Sequence, residues 1–389
     1  MRFCASVFLA LTTSLASVES FGIDHHRRAD FSRWRSGTQS SSQHTTTSLS
    51  ARSGSLPCRP IGIGSAAPKT IVTNADLESV VETSDEWIRS RTGIAQRHLL
   101  LQGESLRALQ VEAAQKALEM AGVEAKDIDI VICATSSADD MFGDAPSVAA
   151  ELGCSSDAVA FDLTAACSGF LFATITASKF LSAPNSHSKK ALVIGADALS
   201  RWVDWDDRNS CILFGDGAGA MVLEASGEDE AGVLGFSGHS NGKKYGELKC
   251  GYQGEPRPIA TPGEGIIVST ASYEKMNMNG KEVYKFATRE VPIVLEEALE
   301  SAGVSVEDID WLVLHQANIR IMEIVAKRLG IPMEKVITNL CDYGNTSAAS
   351  IPLALDEAVR SGKVKKGDIL ACAGFGAGLS WGAAILKWG

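Results

Sequence analysis

The chain has no C-x-x-C pair. Its nine cysteines stand singly at 4, 58, 133, 154, 167, 211, 250, 341 and 372, which argues against a zinc site or a small disulfide framework. No metal is therefore expected, and most of these residues should be buried, unreactive thiols in a reducing compartment. Beyond the first residues no run reaches the ~18 apolar positions needed to cross a bilayer. Positive charge is also short. The whole chain carries 36 Lys+Arg against 47 Asp+Glu; residues 1–55 hold six basic and three acidic groups, leaving 30 against 44, a balance of −14. So acidic a body is a poor nucleic-acid binder. Small molecules, or proteins met through a limited basic surface, are the expected partners. Histidine is rare, and the body holds only His98, His187, His239 and His315.

What is present divides into a leader and a body. Met1-Arg2, the apolar run from Val7 to Leu11 and the small-residue stretch ending near Ser20 read as a secretory signal over residues 1–20. Phe21 opens a second tract, 21–56, with Arg27, Arg28, Arg33 and Arg35, many Ser and Thr, and few acids, a composition that suits a transit peptide. Together they resemble the bipartite leader of algae with secondary plastids, which implies the plastid stroma. The plainer alternative is a disordered tail.

The body repeats itself. Ala117–Asp129 (ALEMAGVEAKDID) and Ala298–Asp310 (ALESAGVSVEDID) agree at nine of thirteen positions, 181 residues apart. GDGAG at Gly215–Gly219 and GFGAG at Gly374–Gly378 echo each other in the same way. A period this long points to a duplicated domain, not a solenoid. The halves are expected at 57–230 and 231–389, dividing near Ala225–Gly232. In each, an apolar helical face (Ala113, Ala114, Ala117, Leu118, Ala121; Val291, Val294, Leu295, Ala298, Leu299, Ala302) leads through D-I-D into a short apolar run, Ile130–Ala134 or Trp311–Leu314. Such runs suit strands covered on both faces. Further strands, Val159–Leu163 and Val336–Leu340, are predicted to feed glycine-bearing turns and helices. Ser237–Thr270 reads as an elaborated loop. The G-x-G-x-x-A of Gly62–Ala67 resembles a dinucleotide fingerprint, but Pro68 follows where a helix must begin.

Three residues stand where chemistry is expected. Cys167, in Ala165-Ala-Cys-Ser-Gly169, occupies a strand-to-helix turn, where unpaired N–H groups favour thiolate. His315 ends Trp311–Leu314 and is followed by Gln316-Ala-Asn-Ile-Arg320, a polar cluster of the sort that marks a cleft. Asn345 is expected to hold nearly the place in the second half that Cys167 holds in the first. The bland readings are a buried thiol, a core histidine and a turn cap.

A-A-C-S-G, H-Q-A-N-I-R and Y-G-N-T-S-A-A-S together resemble β-ketoacyl-acyl-carrier-protein synthase III, the condensing enzyme that starts type II fatty-acid synthesis. Thr83–Ile88, Arg91–Ile94 and Gly374–Gly378 match it too, and the resemblance runs from about Ile61 to the C-terminus. It implies an α/β thiolase fold of duplicated βαβαβαββ halves in five αβαβα layers. It implies condensation of acetyl-CoA with malonyl-carrier protein through an acyl-Cys167 intermediate, and no cofactor. His315 and Asn345 are implied as enolate donors, the backbone N–H groups of Cys167 and Ala377 as an oxyanion hole. Trp87, Arg91, Arg208 and Asn318 are implied at the coenzyme A site. Lys285, Arg320, Lys327 and Arg328 are implied as a patch for acidic carrier protein. Phe142 is implied to reach the partner's acyl pocket in a homodimer. Lys281 stands where relatives often carry an Asn. A chalcone-synthase-like or polyketide starter enzyme is the alternative within the superfamily, and a non-catalytic carrier-binding subunit the alternative outside it.

Overall fold

The computed structural model describes residues 55–184, 186–227, 231–259 and 265–389. The expected leader falls outside them except for its last two residues.

Both repeats of the thirteen-residue motif end a helix and begin a strand. Helix Leu106–Ala121 starts where the Ser105 hydroxyl accepts from Ala108 N–H, and Gly122 ends it at φ 64°. Helix Gly280–Ala302 starts where Asn279 accepts from Glu282 N–H, and Gly303 ends it at φ 64°. A left-handed C-terminal residue of this kind favours glycine. Each helix then passes through a short turn into a buried strand, as the pattern predicts.

Five strands of one sheet are β1 (Cys58–Ala66), β2 (Ile130–Ala134), β3 (Val159–Leu163), β4 (Lys190–Asp197) and β5 (Gly217–Ala225), in the order β1-β5-β4-β2-β3. The second sheet takes β6 (Val233–Ser240), β7 (Trp311–Leu314), β8 (Val336–Ile337), β9 (Ile369–Gly376) and β10 (Ser380–Lys387), in the order β6-β10-β9-β7-β8. Strand for strand the two orders are the same. So are the senses: β2 or β7 runs parallel to both neighbours, while β5 and β10 are antiparallel to theirs.

Helices Gly169–Leu181 and Ser350–Arg360 lie between the sheets and touch strands of both. Leu106–Ala121 covers the outer face of one sheet and Gly280–Ala302 that of the other. The layers are therefore αβαβα. Alternation along each strand serves two cores: Ile130 and Ile132 point into the central cluster, Val131 and Cys133 into the outer one. In β7, Val313 faces the centre and Leu312 and Leu314 the outside. Burial on both faces is why these runs contain no polar residue.

Two local expectations change, and the doubt over the glycine motif stands. β8 ends at Ile337, because Leu340–Tyr343 forms a short helical turn instead of more strand. Ser237–Ser240 belongs to β6, and the following segment holds a short 3₁₀ turn and an exposed hairpin, Glu255–Ile259 with Ile266–Thr270. Gly62 and Gly64 lie inside β1, where a Cβ would stand 2.4 Å from Ala117 O or Ala113 O. They let a strand and a helix pack closely, and bind no nucleotide there.

Candidate active site

The two middle-layer helices begin at corresponding turns. Cys167 lies in Ala166–Ser168, ahead of Gly169–Leu181, and Ala166 takes φ 46°. The mirrored turn is Ser347–Ala349, ahead of Ser350–Arg360, and Ser347 takes φ 52°. Positive φ is uncommon for a residue bearing a Cβ, so these two outliers align the halves. They set Cys167 opposite Ala348 and Asn345 opposite Thr164. The expected equivalence of Asn345 with Cys167 is thus corrected: Asn345 precedes the true counterpart by three residues.

The three polar side chains nevertheless converge. Cys167, His315 and Asn345 line one cavity of about 470 Å³. They are 6%, 2% and 6% exposed, whereas Trp87 is half-buried and Arg91 exposed, so the thiol end is the floor and the tryptophan end the mouth. Ile212, Phe214, Val283 and Ile321 supply apolar wall between them.

Each floor residue is held by backbone. His315 N–H donates to Ala373 O at 2.8 Å, continuing the pairing of β7 with β9. Its ring meets Phe375 edge-on, with centroids 5.3 Å apart. Asn345 pairs with the Leu213–Gly215 segment, donating to Leu213 O at 2.8 Å and accepting from Gly215 N–H at 3.0 Å. Its Oδ1 accepts from Ser347 N–H at 2.9 Å, which fixes the amide so that its NH₂ is left for the cavity. The strand end of β9 presses on Cys167 from behind: a Cβ on Gly376 would stand 2.7 Å from Cys167 N.

Burial acts on both ionisable groups of the floor. Burial pushes the Cys167 thiol up to about 12; the Ser347 hydroxyl opposes the rise and the Asp197 carboxylate adds to it. Burial thus works against the thiolate that the helix end favours. Burial also holds His315 down at about 3, so the imidazole is neutral. Its Nδ1 lies 2.7 Å from Ser350 Oγ. If the hydroxyl donates to Nδ1, the remaining proton sits on Nε2 as a hydrogen-bond donor.

The other expected residues are placed as follows. Arg91 and Arg208 both lie over the Trp87 ring, with Cζ 4.4 and 4.9 Å from its centroid. Arg91, Trp87 and Asn318 line the cavity. Asn318 is engaged at both ends, capping helix Ile319–Leu329 through Arg320 N–H and donating to Arg91 O at 3.0 Å. Lys281 also lines the cavity. Gln316 turns inward instead, tying Leu314 O and Ile337 O. Lys285 is paired with Glu282 at 2.7 Å and Arg320 donates to Ser90 O, while Lys327 and Arg328 stand exposed in the last turn of their helix. Ala377 O accepts from Ser380 Oγ, and it is Gly376 that lines the cavity. Phe142 is 89% exposed.

A family model described as 3-oxoacyl-[acyl-carrier-protein] synthase III matches residues 161–242, and one described as its C-terminal part matches 299–388. Over 328 residues the chain is 56% identical to the beta-ketoacyl-[acyl-carrier-protein] synthase III of Microcystis aeruginosa, an alignment covering 84% of this chain and 96% of that one. The chain belongs to the β-ketoacyl-acyl-carrier-protein synthase III family. Its class is therefore condensing acyltransferase, and its fold the thiolase fold. Among solved structures, the synthase III of Thermus thermophilus superposes with a TM-score of 0.77 at 39% identity, covering 85% of this chain and 99% of that one. The priming β-ketosynthase of the R1128 polyketide pathway gives 0.75 at 34% identity, covering 86% and 97%.

Sequence reasoning gave no role to Ser347, Ser350, Phe375, Gly376 or Asp197. A cue for Asp197 existed. It ends the apolar run Ala191–Ala196 just as His315 ends Trp311–Leu314.

Proposed function

We propose that Cys167, His315 and Asn345 carry out a decarboxylative condensation of acetyl-CoA with malonyl-acyl-carrier protein. The products are acetoacetyl-carrier protein, CO₂ and CoA. The observation that carries the reading is the cavity floor: a nucleophilic atom from one half meets two uncharged donors from the other.

Cys167 takes the acetyl group from one thioester to another at little free-energy cost. Malonyl thioester then enters and loses CO₂, leaving an enolate whose oxygen needs donors already in place. Nε2–H of His315 and the NH₂ of Asn345 meet that need. A neutral imidazole is suited to it, since the site then gains one negative charge and no stray cation. The enolate carbon attacks the acetyl-Cys carbonyl, and the tetrahedral oxyanion is received by the N–H groups of Cys167 and Ala377. Every step balances with thiol, amide and imidazole alone, so no metal or redox cofactor is called for.

Trp87, with Arg91 and Arg208 over its ring, is suited to an adenine and its phosphates at the mouth. Lys327 and Arg328, exposed, are the better-placed cations for an acidic carrier protein; Lys285 must first leave Glu282. Exposed Phe142 and Met141 beside the edge strand β3 favour a homodimer in which Phe142 reaches the partner's pocket. The composition of residues 1–56 supports delivery to the plastid stroma.

Intact-mass measurement after incubation with acetyl-CoA tests the reading. One acetyl group is expected, absent in Cys167→Ala. His315→Ala and Asn345→Ala should still acetylate but release no CO₂ from malonyl-carrier protein; acetyl found elsewhere overturns the assignment. The likeness to a priming polyketide β-ketosynthase favours a second reading, a starter enzyme for longer acyl-CoAs. A chain-length screen separates the two.

A further inference from the structure

Two turns meet beneath the cavity, the nucleophile's at Ala166–Ser168 and its mirror image at Ser347–Ala349. From the second turn the Ser347 hydroxyl reaches across and donates to Cys167 Sγ at 3.2 Å. Both residues are buried. The backbone of that turn is engaged elsewhere: Ser347 N–H donates to Asn345 Oδ1 at 2.9 Å, and Ala348 N–H to Asp197 at 3.3 Å. It is the hydroxyl that is aimed at the sulfur. Duplication supplies an internal control. At the mirrored positions the chain carries Ala166 in place of Ser347 and Ala348 in place of Cys167. Ala166 and Ser347 share a positive φ, 46° and 52°, so the backbone of the turn does not itself call for a hydroxyl.

The sulfur bears negative charge twice in the cycle proposed above, once as it attacks the acyl donor and once as the condensation adduct expels it. Its surroundings do little to favour that charge. Burial opposes it, and the Asp197 carboxylate, at the end of β4, repels it. His315, at the end of β7, is neutral. The end of β9 and the mirrored turn bring Gly374, Phe375, Gly376, Ser347 and Ala348, none of them titratable. The cations that line the cavity, Arg91 and Lys281, are exposed. Compensation must come from dipoles, which here are the helix end and the Ser347 hydroxyl. In the neutral pair either atom can give the hydrogen. Once the sulfur is ionised only the oxygen still has one. A hydrogen bond to an ionised acceptor is roughly twice as strong as a neutral one, so the contact favours the thiolate.

We propose that Ser347 is a catalytic residue of this site, its hydroxyl donating to the Cys167 sulfur and stabilising the thiolate both on attack and on expulsion. The inference rests on the condensation reading above. Ser347 keeps its own hydrogen throughout. In the first half-reaction the thiol proton leaves to solvent and the thiolate bonds to the acetyl carbon. The bond to coenzyme A sulfur breaks, and the departing CoA thiolate takes up a proton, so acyl transfer is proton-neutral. In the second, the bond from the adduct carbon to Cys167 breaks with its electron pair on sulfur. Ser347 receives that charge, and the thiolate then regains a proton from solvent.

Alkylation by iodoacetamide reads the thiolate without coenzyme A, carrier protein or enolate donors. Full-length protein is alkylated between about pH 6 and about pH 10, and label is counted by mass on the peptide bearing Cys167, because Cys341 is also exposed. Ser347→Ala should displace the rate profile toward higher pH by about one unit. At about pH 8 that slows alkylation about threefold, since thiolate falls about tenfold while each thiolate becomes about threefold more nucleophilic. Ser347→Gly also lacks the hydroxyl and suits φ 52°, so it should show the same displacement and decides alone if the alanine variant does not fold. Acetylation by acetyl-CoA should slow by at least the same factor in both. A wild-type alkylation profile in either folded variant, or unslowed acetylation, overturns the role of Ser347 and leaves the condensation reading intact. Wild-type protein that alkylates at Cys167 but takes no acetyl group there overturns that reading instead.

Discussion

A neutral, buried His315 has a consequence for stability that is separate from catalysis. In the unfolded chain a histidine titrates near its ordinary value of about 6.5, whereas in the folded protein burial holds His315 near 3. Between those values the unfolded state binds a proton that the folded state refuses. Folding stability contributed by this group is therefore whole above about pH 7 and falls as the solution is acidified toward 3. The slope approaches 1.4 kcal/mol per pH unit, so moving from pH 7 to pH 5 costs about 2 kcal/mol from His315 alone. Carboxylates titrate over part of the same range, and a wild-type curve by itself does not isolate the imidazole. The difference from His315→Asn does. That variant loses the hydrogen bond with Ser350 at every pH, a constant offset, but has no imidazole to protonate. Urea unfolding at pH 7, 6 and 5 should show the advantage of wild type over the variant shrinking by about 2 kcal/mol. A gap that stays constant refutes the neutral imidazole, as does an NMR titration of His315 with a midpoint near 6 or 7.

Other residues of the cavity make sharper demands on geometry. In Gly376→Ala the new Cβ starts 2.7 Å from Cys167 N and needs 3.4 Å, so the nucleophile's turn must yield by about 0.7 Å. The acetylation rate should fall about 10²-fold while the melting temperature drops only a few degrees; near-normal acetylation would mean that the turn is not held from behind. Ser350→Ala removes the partner of Nδ1. Acetyl transfer should survive and malonyl decarboxylation fall about tenfold or more, whereas equal loss of both would place Ser350 in folding instead of tautomer control. Trp87→Ala should raise KM for acetyl-CoA about tenfold with little change in kcat, as expected for a stacking surface remote from the bonds that change. An unaltered KM would return Trp87 to a packing role.

The parts of this fold that were legible in the sequence are those with strong periodicity and an internal copy. The repeat at Ala117 and Ala298 predicts two helices closed by glycine and two strands buried on both faces, and the structure has all four. What misled was a shorter-range inference. Asn345 follows a glycine before a helix, much as Cys167 precedes one, and from residue type they look equivalent. The repeat's own spacing of 181 residues sets Cys167 opposite Ala348, as the two positive-φ residues Ala166 and Ser347 do. The burial of the sulfur was not legible for a different reason. A helix end acts through local geometry, while desolvation depends on everything around the group, and sequence conveys only the first. Gln316 and Asn318 illustrate the same limit: both sit in a polar cluster beside a strand, yet one ties backbone carbonyls in the interior and the other caps a helix.

Duplication explains why a carboxylate came to lie behind the nucleophile. The registers of β2 with β4 and of β7 with β9 make Asp197 the counterpart of Gly376 and Ala134 that of His315. Ala348 is the counterpart of Cys167. The mirrored contacts agree, since Gly376 abuts Cys167 N while Asp197 accepts from Ala348 N–H at 3.3 Å, and the place of the imidazole is taken by Ala134. The two turns are not independent, since Ser347 belongs to one and its hydroxyl donates to the sulfur of the other at 3.2 Å. A buried acid with only uncharged partners is costly to retain for structure alone, because an amide in its place would accept from part of the same donor set without the charge. Asp197→Asn tests this by urea unfolding: a variant less stable than wild type shows that the carboxylate is kept for the bonds it accepts from Thr135, Ser136, Ser137 and Ala348, and one as stable or more so refutes that role.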